Sequence, residues 1–266
     1  MGYGLTFDDV KNINHPAAAP APWGSVTRCT DAEQFSMHRI EIKPGATRPL
    51  HFYPGGEGRL FVESGDLAVR TLDAGGAETA VLVRAGEIYP VGKFQVHGYF
   101  SKAGAVAYLI GSYVGAMGEP VAAEPAERAH AAAAALQTSN LGPGGIPTMD
   151  VREKYWGRIE TILNSDVAGK RILIKKDGQS SMEFHVHKHE SYYIHSGLLK
   201  VGLRVGRAEN RSIVMKAGES YDMHPGVMHM RMALEDTVII EASTRDSDSD
   251  SYLVEDGQTY RFVESQ

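Results

Sequence analysis

The stretch Phe184-His185-Val186-His187-Lys188-His189-Glu190 decides how the rest of this chain is interpreted. His185 and His187 stand two residues apart, so on a β-strand both side chains point to the same face. Glu190 follows where the strand ends, and its carboxylate can turn toward the two imidazoles. His229 comes after a Pro-Gly turn and can reach the same point from a different strand. Three imidazoles and one carboxylate make a mixed nitrogen and oxygen site, which suits Mn, Fe, Co, Ni or Zn better than calcium or magnesium.

The glycines and the proline around these residues form a second pattern. Gly197 follows Glu190 after six residues, and Gly218 precedes a turn at Pro225-Gly226. Together the two pieces resemble the paired signature of the cupin superfamily, H-x-H-x(2–4)-E-x6-G and G-x5-P-x-G-x2-H. The proline falls one place late, with His224 in its usual position, and the final histidine stays in register. The resemblance implies that four side chains hold the metal, those of His185, His187, Glu190 and His229.

Composition limits the classes of protein to which the chain can belong. Its 266 residues are 42% hydrophobic and 23% charged, the profile of a soluble globular protein with one large or two ordinary domains. A net charge of −6 without a basic cluster argues against a nucleic-acid partner. No apolar stretch reaches membrane-spanning length, and no signal-peptide pattern opens the chain. The single cysteine, Cys29, excludes an intramolecular disulfide, and we expect a cytoplasmic protein.

The order of motifs repeats along the chain. Pro22-Trp23-Gly24-Ser25 opens one half and Tyr155-Trp156-Gly157-Arg158 opens the other. An alternating strand, a Gly-containing turn and a histidine strand then follow in each half. Self-similarity in fixed order indicates duplication. Short β-runs broken by Gly, Asp and Asn predict an all-β chain, and the cupin resemblance implies two tandem cupin barrels of the double-stranded β-helix or jelly-roll type.

Three segments are predicted from this repeat. Residues 1–116 form a degenerate N-terminal barrel, residues 117–147 a linker rich in Ala, Gly and Pro, and residues 148–266 the metal-binding barrel. Residues 127–136 of the linker are strong helix formers and predict a helix. The Gly-Pro-Gly-Gly of residues 142–145 predicts a flexible exit from it.

The two halves differ in their candidate ligands. When His51 is aligned with His185, Tyr53 takes the place of the second strand histidine. Glu57 misses the register of the glutamate ligand by one place, and His97 is retained. We therefore expect the metal in the second half. The remaining His51, Glu57 and His97 could still bind a metal weakly. The other candidate roles of the first half are shaping the substrate site, forming a homodimer, or none.

Strand alternation also predicts which other side chains face the metal. Glu183 shares the face of the strand histidines, and Arg231 shares the face of His229. Arg231 either binds a carboxylate or phosphate of a substrate in bidentate fashion or forms a salt bridge with Glu183. Tyr192 either donates to substrate or fills the barrel. His224, beside the turn, is a candidate acid, base or support for a metal ligand.

The second half carries a narrower resemblance. Trp156-Gly157 precedes the metal motif, and Val238-Ile239-Ile240-Glu241 leads to an acidic run over residues 245–252. By itself the run is typical of a solvated loop, and it lacks the glycine and terminal glutamate of a calcium loop. Together these features resemble the mannose-6-phosphate-isomerase-like cupins over roughly residues 153–256. The resemblance implies a sugar or sugar phosphate as substrate.

Three functions fit these observations, each with one divalent transition metal and a small-molecule partner. The leading hypothesis is a sugar isomerase or epimerase, in which the metal polarises a carbonyl and Glu183 or His224 moves a proton as base. The second is a non-haem Fe(II) oxygenase, because the same ligands suit iron. The third is a non-enzymatic protein that senses or stores a small molecule through the metal.

Overall fold

The computed structural model describes residues 5–30, 32–54, 56–72, 77–112, 121–122, 142, 144–148 and 150–264. These residues are built almost entirely from β-strands, as the sequence predicts. The chain divides into two compact units. We call Ala17–Met149 the first unit, and Met1–Pro16 together with Asp150–Gln266 the second unit. No described helix is long and apolar enough to cross a membrane.

The first unit forms one large sheet. The strands among its described residues are β1 (Ala18–Ala21), β2 (Gly24–Arg28), β3 (Phe35–Ile42), β4 (Ala46–Phe52), β5 (Gly58–Leu72), β6 (Glu78–Arg84), β7 (Glu87–Val91), β8 (His97–Ser101), β9 (Ala105–Ser112), β10 (Val121–Ala122) and β11 (Ile146–Pro147). The main path of neighbours is β1-β2-β3-β9-β5-β8-β4-β10. In the antiparallel pair β4 and β8, His51 lies opposite His97.

The second unit forms two sheets. Its strands are β12 (Asp150–Lys154), β13 (Gly157–Asn164), β14 (Val167–Ile174), β15 (Met182–Phe184), β16 (Glu190–Ser196), β17 (Leu198–Val205), β18 (Arg211–Lys216), β19 (Ser220–Met223), β20 (Val227–Ala233), β21 (Thr237–Thr244) and β22 (Tyr252–Glu255). One sheet has the order β12-β13-β14-β21-β16-β19 and the other β18-β17-β20-β15-β22. All strand pairs in both sheets are antiparallel.

The core of the second unit lies between these two sheets. On β18, Ile213 and Met215 are buried while Val214 between them is exposed, the alternation expected of a strand with one face on a core. Ile172 and Ile239 contribute from the opposite sheet. The apolar faces of both sheets therefore meet in one cluster, and the polar site described below lies among the strands that carry it.

A short N-terminal segment belongs to the second unit, which differs from the boundary predicted from the repeat. The segment contains the helix α1 (Phe7–Val10), and Val10 is buried in the core of the second unit. The Tyr221 hydroxyl donates to the Val10 carbonyl, and the backbone N–H of Asn14 donates to the Ser220 carbonyl at 2.8 Å. Pairing with β19 and burial of one apolar side chain hold the segment there, a long-range contact that strand periodicity does not encode.

The predicted linker lies mostly outside the described residues, including the helix predicted over residues 127–136. Its described parts are β10, which pairs with β4, and β11, which pairs with β7. Cys29 is a free, buried thiol. Burial raises its pKa to about 12, so it remains a thiol and acts as a packing residue.

Candidate metal centre

Two imidazoles of the second unit face each other, one on a strand and the other just after the neighbouring strand. His229 lies on β20, and His185 directly follows β15, on which Glu183 stands opposite His229. The backbone N–H of Gly226, in the turn before β20, donates to the His185 carbonyl at 2.7 Å. Gly226 has a φ of 85°, a left-handed conformation that glycine adopts more readily than other residues. This turn, which the sequence predicts, brings the centres of the two imidazole rings to 5.5 Å.

Hydrogen bonds determine which nitrogen of each ring carries the proton. His185 Nδ1 lies 2.8 Å from the Asp250 carbonyl, and His229 Nδ1 lies 3.1 Å from the Val227 carbonyl. A carbonyl oxygen only accepts, so each Nδ1 donates and each Nε2 keeps a lone pair. Burial also lowers the pKa of His229, which favours its neutral form. Both Nε2 atoms are therefore in the state that binds a metal.

The carboxylate of Glu190 lies between these two nitrogens. Its Oε1 is 3.5 Å from His185 Nε2, and its Oε2 is 3.4 Å from His229 Nε2. Burial acts to raise the pKa of Glu190, but the neighbouring charges, that of the Lys188 ammonium foremost, outweigh burial and lower it, so the carboxylate is ionised. The buried His229 Nε2 has no hydrogen-bond partner. Carboxylate oxygens and ring lone pairs that face each other repel unless a cation lies between them.

The surrounding donors fit a divalent transition metal. Ligand atoms of Glu183, His185 and His229 all lie within 4.8 Å of one another. With Glu190 they make a set of two imidazole nitrogens and two carboxylates. Such a mixed nitrogen and oxygen set suits Mn, Fe, Co, Ni or Zn. The candidate ligands are thus Glu183, His185, Glu190 and His229.

His187 lies outside this group, in contrast to the prediction from the motif. Its side chain is exposed. The strand β15 ends before His185, and the Asp250 carboxylate accepts hydrogen bonds from the backbone N–H groups of Val186, His187 and Lys188. Because these bonds turn the backbone into a loop, the strand alternation that placed His187 beside His185 no longer applies. Glu183, which the sequence assigned to catalysis, completes the metal group instead.

Lys188 enters the interior where the motif predicts a second histidine. Its Nζ binds the Glu190 carboxylate and lies 3.0 Å from Glu241 Oε1 and 2.8 Å from Asp246 Oδ1. Lys170 joins the same acids, with Nζ 2.8 Å from Asp246 Oδ1. Burial acts to lower the pKa of Lys188, but the three carboxylates outweigh burial and raise it well above its ordinary value. The site therefore contains a permanent ammonium next to one metal ligand.

Arg231 and Glu183 form an ion pair on the wall of the site. Arg231 Nη2 donates to Glu183 Oε1 at 2.8 Å, and the Ser251 hydroxyl donates to Glu183 Oε2 at 2.7 Å. Of the two roles left open for Arg231, the structure thus contains the salt bridge. Its guanidinium also lies over the rings of Trp156 and Tyr192, 5.7 Å and 5.8 Å from their centres. Burial acts to raise the pKa of Glu183, but Arg231, the Ser251 hydroxyl and the other groups around the carboxylate together outweigh burial and hold it at about 2.

The last two predicted site residues lie in different surroundings. Tyr192 is buried, and its hydroxyl donates to Glu190 Oε2 at 3.0 Å. Burial raises its pKa well above the ordinary value, so Tyr192 is a hydrogen-bond donor to the glutamate. His224 is exposed and stacks on His189, with ring centres 4.8 Å apart. His224 is therefore not among the residues that line the cavity beside the metal group.

A cavity of about 220 Å³ opens beside the metal group. Trp156 and Tyr155 form part of its apolar wall. Five cationic and five acidic side chains line it, namely Arg152, Lys154, Lys170, Lys188 and Arg231, and Glu183, Glu190, Glu241, Asp246 and Asp248. The formal charges of these groups cancel. A divalent metal bound to the site would leave the cavity with a net positive charge.

Several of these side chains were missed in the sequence. The histidine motif assigns no role to Lys188, and the acidic run predicts a solvated loop for Asp246 and Asp250. Asp246 instead pairs with the two buried lysines, and Asp250 holds the backbone beside His185. A signal was present, because an acidic run that follows the strand carrying Glu241 supplies partners for buried lysines. The sequence does not say which acids turn inward.

The sequence matches no established protein-family model. Oxalate oxidase 1 of Hordeum vulgare is 32% identical over 81 residues, which is 29% of this chain and 40% of that protein. Among solved structures, an oxalate decarboxylase of Bacillus subtilis studied for its Mn(II) centres superposes with a TM-score of 0.68 and 14% identity, covering 90% of this chain and 77% of the other. The formate complex of Lactobacillus farciminis oxalate decarboxylase gives a TM-score of 0.68 and 16% identity, covering 94% and 88%. What is shared is the fold. It is the cupin fold expected from the motifs.

Proposed function

We propose that this chain is a metal-dependent cupin enzyme that acts on a small organic acid. The observation that carries the proposal is the convergence of two imidazole lone pairs on an ionised glutamate at the edge of a small cavity. Glu183, His185, Glu190 and His229 would hold the metal. A divalent metal there supplies a Lewis acid that polarises a carboxylate or carbonyl oxygen. We further propose that the two units are tandem cupin barrels and that the second is the metal-binding one.

The size and charge of the cavity select the substrate class. At about 220 Å³ it is smaller than the roughly 300–1,000 Å³ of sites for drug-sized ligands. Its side-chain charges balance, so a bound metal leaves an excess of about two positive charges. A substrate of a few carbon atoms with one or two carboxylates restores neutrality. Oxalate and related two- to three-carbon acids meet both conditions, and the oxalate-acting proteins named above support this choice.

The residues around the cavity have separate tasks in this proposal. Arg231 has its Nε buried without a hydrogen-bond partner, so it has a donor to spare for a substrate carboxylate while Nη2 holds Glu183. Lys188 presents an ammonium beside Glu190. Tyr192 fixes the orientation of Glu190 through its hydroxyl. Trp156 packs against the guanidinium and limits access of water to it. Binding and orientation of a small acid are the tasks these groups perform.

Loss of CO2 from such an acid is the reaction we favour. It needs a bound carboxylate, for which Lys188 and Arg231 supply buried positive charge on the cavity wall, and a proton from solvent for the remaining fragment. A sugar isomerase needs a base that removes a proton from carbon. The two candidate bases serve that role poorly, because Glu183 has a pKa of about 2 and His224 lies outside the cavity lining.

The test uses protein purified without chelators and without a metal-affinity tag, analysed for metal content and incubated with oxalate, glyoxylate, pyruvate and mannose 6-phosphate. We expect a bound transition metal and CO2 release from one of the acids, which Arg231→Gln should reduce by roughly 10²-fold or more if it binds the substrate carboxylate. Thr161→Ala, on the same unit but outside the cavity, is the matched control. Isomerised sugar phosphate with deuterium taken up from heavy water would contradict the proposal. Product formation coupled to oxygen consumption would indicate an oxidase instead of a decarboxylase.

A further inference from the structure

The first unit contains a second pair of facing imidazoles. His51 on β4 and His97 on β8 have ring centres 4.4 Å apart. Their Nδ1 atoms lie 2.9 Å and 2.8 Å from the carbonyls of Pro49 and Gln95. By the same reasoning as above, each Nδ1 donates and each Nε2 keeps a lone pair. Both Nε2 atoms are buried and have no hydrogen-bond partner.

A buried positive charge lies next to this pair. Arg48 is 4% exposed, and among the described residues no carboxylate forms an ion pair with it. Its Nη2 donates to the Tyr53 hydroxyl at 3.2 Å, while its Nη1 and the Tyr99 hydroxyl are buried without a partner. The contrast with Arg70 is direct, because that buried guanidinium lies 2.5 Å from the Glu78 carboxylate. Buried charges are normally paired, and within the part of the chain that the structure describes Arg48 lacks a counter-ion.

These unsatisfied atoms define the chemistry of a missing ligand. Arg48 Nη1 and the Tyr99 hydroxyl are donors that an anionic oxygen would satisfy. The two imidazole Nε2 atoms are acceptors, and a hydroxyl would donate its proton to one of them. Burial lowers the pKa of His97 to about 4, which keeps that ring an acceptor near neutral pH. A metal ion fits this set less well than the second unit, because it would add charge beside an unpaired guanidinium and find no carboxylate ligand.

We propose that the first unit binds a small hydroxycarboxylate directly, with its carboxylate on Arg48 and Tyr99 and its hydroxyl donating to one of the two imidazoles, His51 or His97. The guanidinium lies between the Tyr99 ring and the Trp23 ring, 5.6 Å and 5.0 Å from their centres. Trp23 is half-buried, so an acid that enters past this ring meets Arg48 first. This site is separate from the metal centre and does not depend on the reaction proposed for it.

The test is a calorimetric titration of the full chain, loaded with metal, with three probes of similar size. Glycolate carries both a carboxylate and a hydroxyl, acetate only the carboxylate, and ethylene glycol only hydroxyls. We expect glycolate to bind more tightly than acetate, and ethylene glycol to give no signal. In Arg48→Met the number of glycolate molecules bound per chain should fall by one, with the metal content unchanged. Arg59→Gln, on a half-buried arginine of the same unit, should behave as wild type.

Two further variants keep the test decisive. Tyr99→Phe removes only a hydroxyl and should weaken glycolate binding by roughly tenfold, the usual value of one hydrogen bond. Without ligand, Arg48→Met should melt at the same or a higher temperature, since it removes an unpaired buried charge. Unchanged glycolate stoichiometry in Arg48→Met would overturn the proposal. So would a metal ion that is lost from the first unit in His51→Gln, because the imidazoles would then be metal ligands.

Discussion

Each unit contains a pair of facing imidazoles between antiparallel neighbours. Carboxylates lie beside the pair in the second unit, and a guanidinium lies beside the pair in the first. In the second unit His185 and His229 meet the carboxylates of Glu190 and Glu183. In the first unit His51 and His97 meet tyrosines and an arginine that has no acid partner among the described residues.

The difference shows which features the two histidine pairs share and which they do not. Both pairs rest on antiparallel neighbours, with His51 opposite His97 and Glu183 opposite His229. In both, the Nδ1 atoms donate to backbone carbonyls, so the Nε2 atoms point inward with lone pairs. The strand pairing therefore determines the positions of the imidazoles. The charge of the neighbouring side chains determines whether a cation or an anion binds beside them.

The largest expected effect is on metal content, which a histidine substitution should reduce in the second unit and leave unchanged in the first. His229→Ala should remove essentially all the bound metal, because it deletes a buried ligand whose Nε2 has no other partner. His97→Ala should leave the metal content unchanged. Elemental analysis of both variants, purified side by side without chelator, measures this. Equal losses in the two variants would show that the units do not differ as described.

Lys188→Met tests the permanent ammonium of the second unit. Removing it leaves Glu190, Glu241 and Asp246 with fewer cations, and breaking a buried pair typically costs about 3–5 kcal/mol. Added Mn²⁺ should raise the melting temperature of this variant more than that of wild type, because the metal also neutralises Glu190. Lys175→Met is the control, since that lysine is exposed and 3.5 Å from an exposed aspartate. Equal responses of the two variants to Mn²⁺ would contradict the assignment.

In metal-loaded protein, acid should loosen the first unit before the second. Burial lowers the pKa of His229 too, but a bound metal keeps its Nε2 from taking up a proton. The pKa of His97 falls from 6.5 to about 4 on burial, so its contribution to stability is complete above pH 6.5 and is lost as the pH falls toward 4. One such residue amounts to on the order of 3 kcal/mol. The pKa of Glu183 falls from 4.5 to about 2, so its contribution is lost only below pH 4.5. Hydrogen exchange near pH 5 in metal-loaded protein should show reduced protection in β4 and β8, while β15 and β20 stay protected. Loss of protection in all four strands at the same pH would contradict the prediction.

Asp250 gives a smaller effect within the second unit. Its carboxylate holds the backbone of Val186, His187 and Lys188, and its carbonyl accepts the His185 Nδ1–H. Asp250→Ala keeps the carbonyl but frees the loop, so metal affinity should fall by roughly 10–100-fold. A competition titration with a chelator measures that affinity. Asp248→Ala, on a fully exposed neighbour, should leave it unchanged.

Much of the fold follows from the sequence because it depends on local patterns. Alternating apolar residues give the strands, and Gly197 at the end of the motif adopts a φ of 90°, where a Cβ would lie 2.4 Å from the Asp236 carbonyl. The pairing of His185 with His229 also follows, since a turn and two strands suffice to bring them together. The N-terminal segment could not be assigned this way, because its partner strand β19 lies some two hundred residues later.

The failure at His187 has a physical cause. The prediction assumed that the strand continues through the motif, but β15 ends at Phe184. What ends it is a carboxylate sixty-four residues away in sequence, that of Asp250, which the backbone N–H of Val186 finds only in the folded protein. Periodicity carries no information about such a contact, so the sequence alone does not show that the side chain of His187 points to solvent.

The most direct test of the metal centre compares two histidines of the same motif. His185 is buried with its Nε2 3.5 Å from Glu190, whereas His187 is exposed and its side chain lies outside the metal group. The metal-to-protein ratio of His185→Ala and His187→Ala should be measured on proteins purified together without a metal-affinity tag. We expect the metal to be lost from His185→Ala and retained at the wild-type ratio in His187→Ala. Loss of the metal from His187→Ala would contradict the ligand set of Glu183, His185, Glu190 and His229.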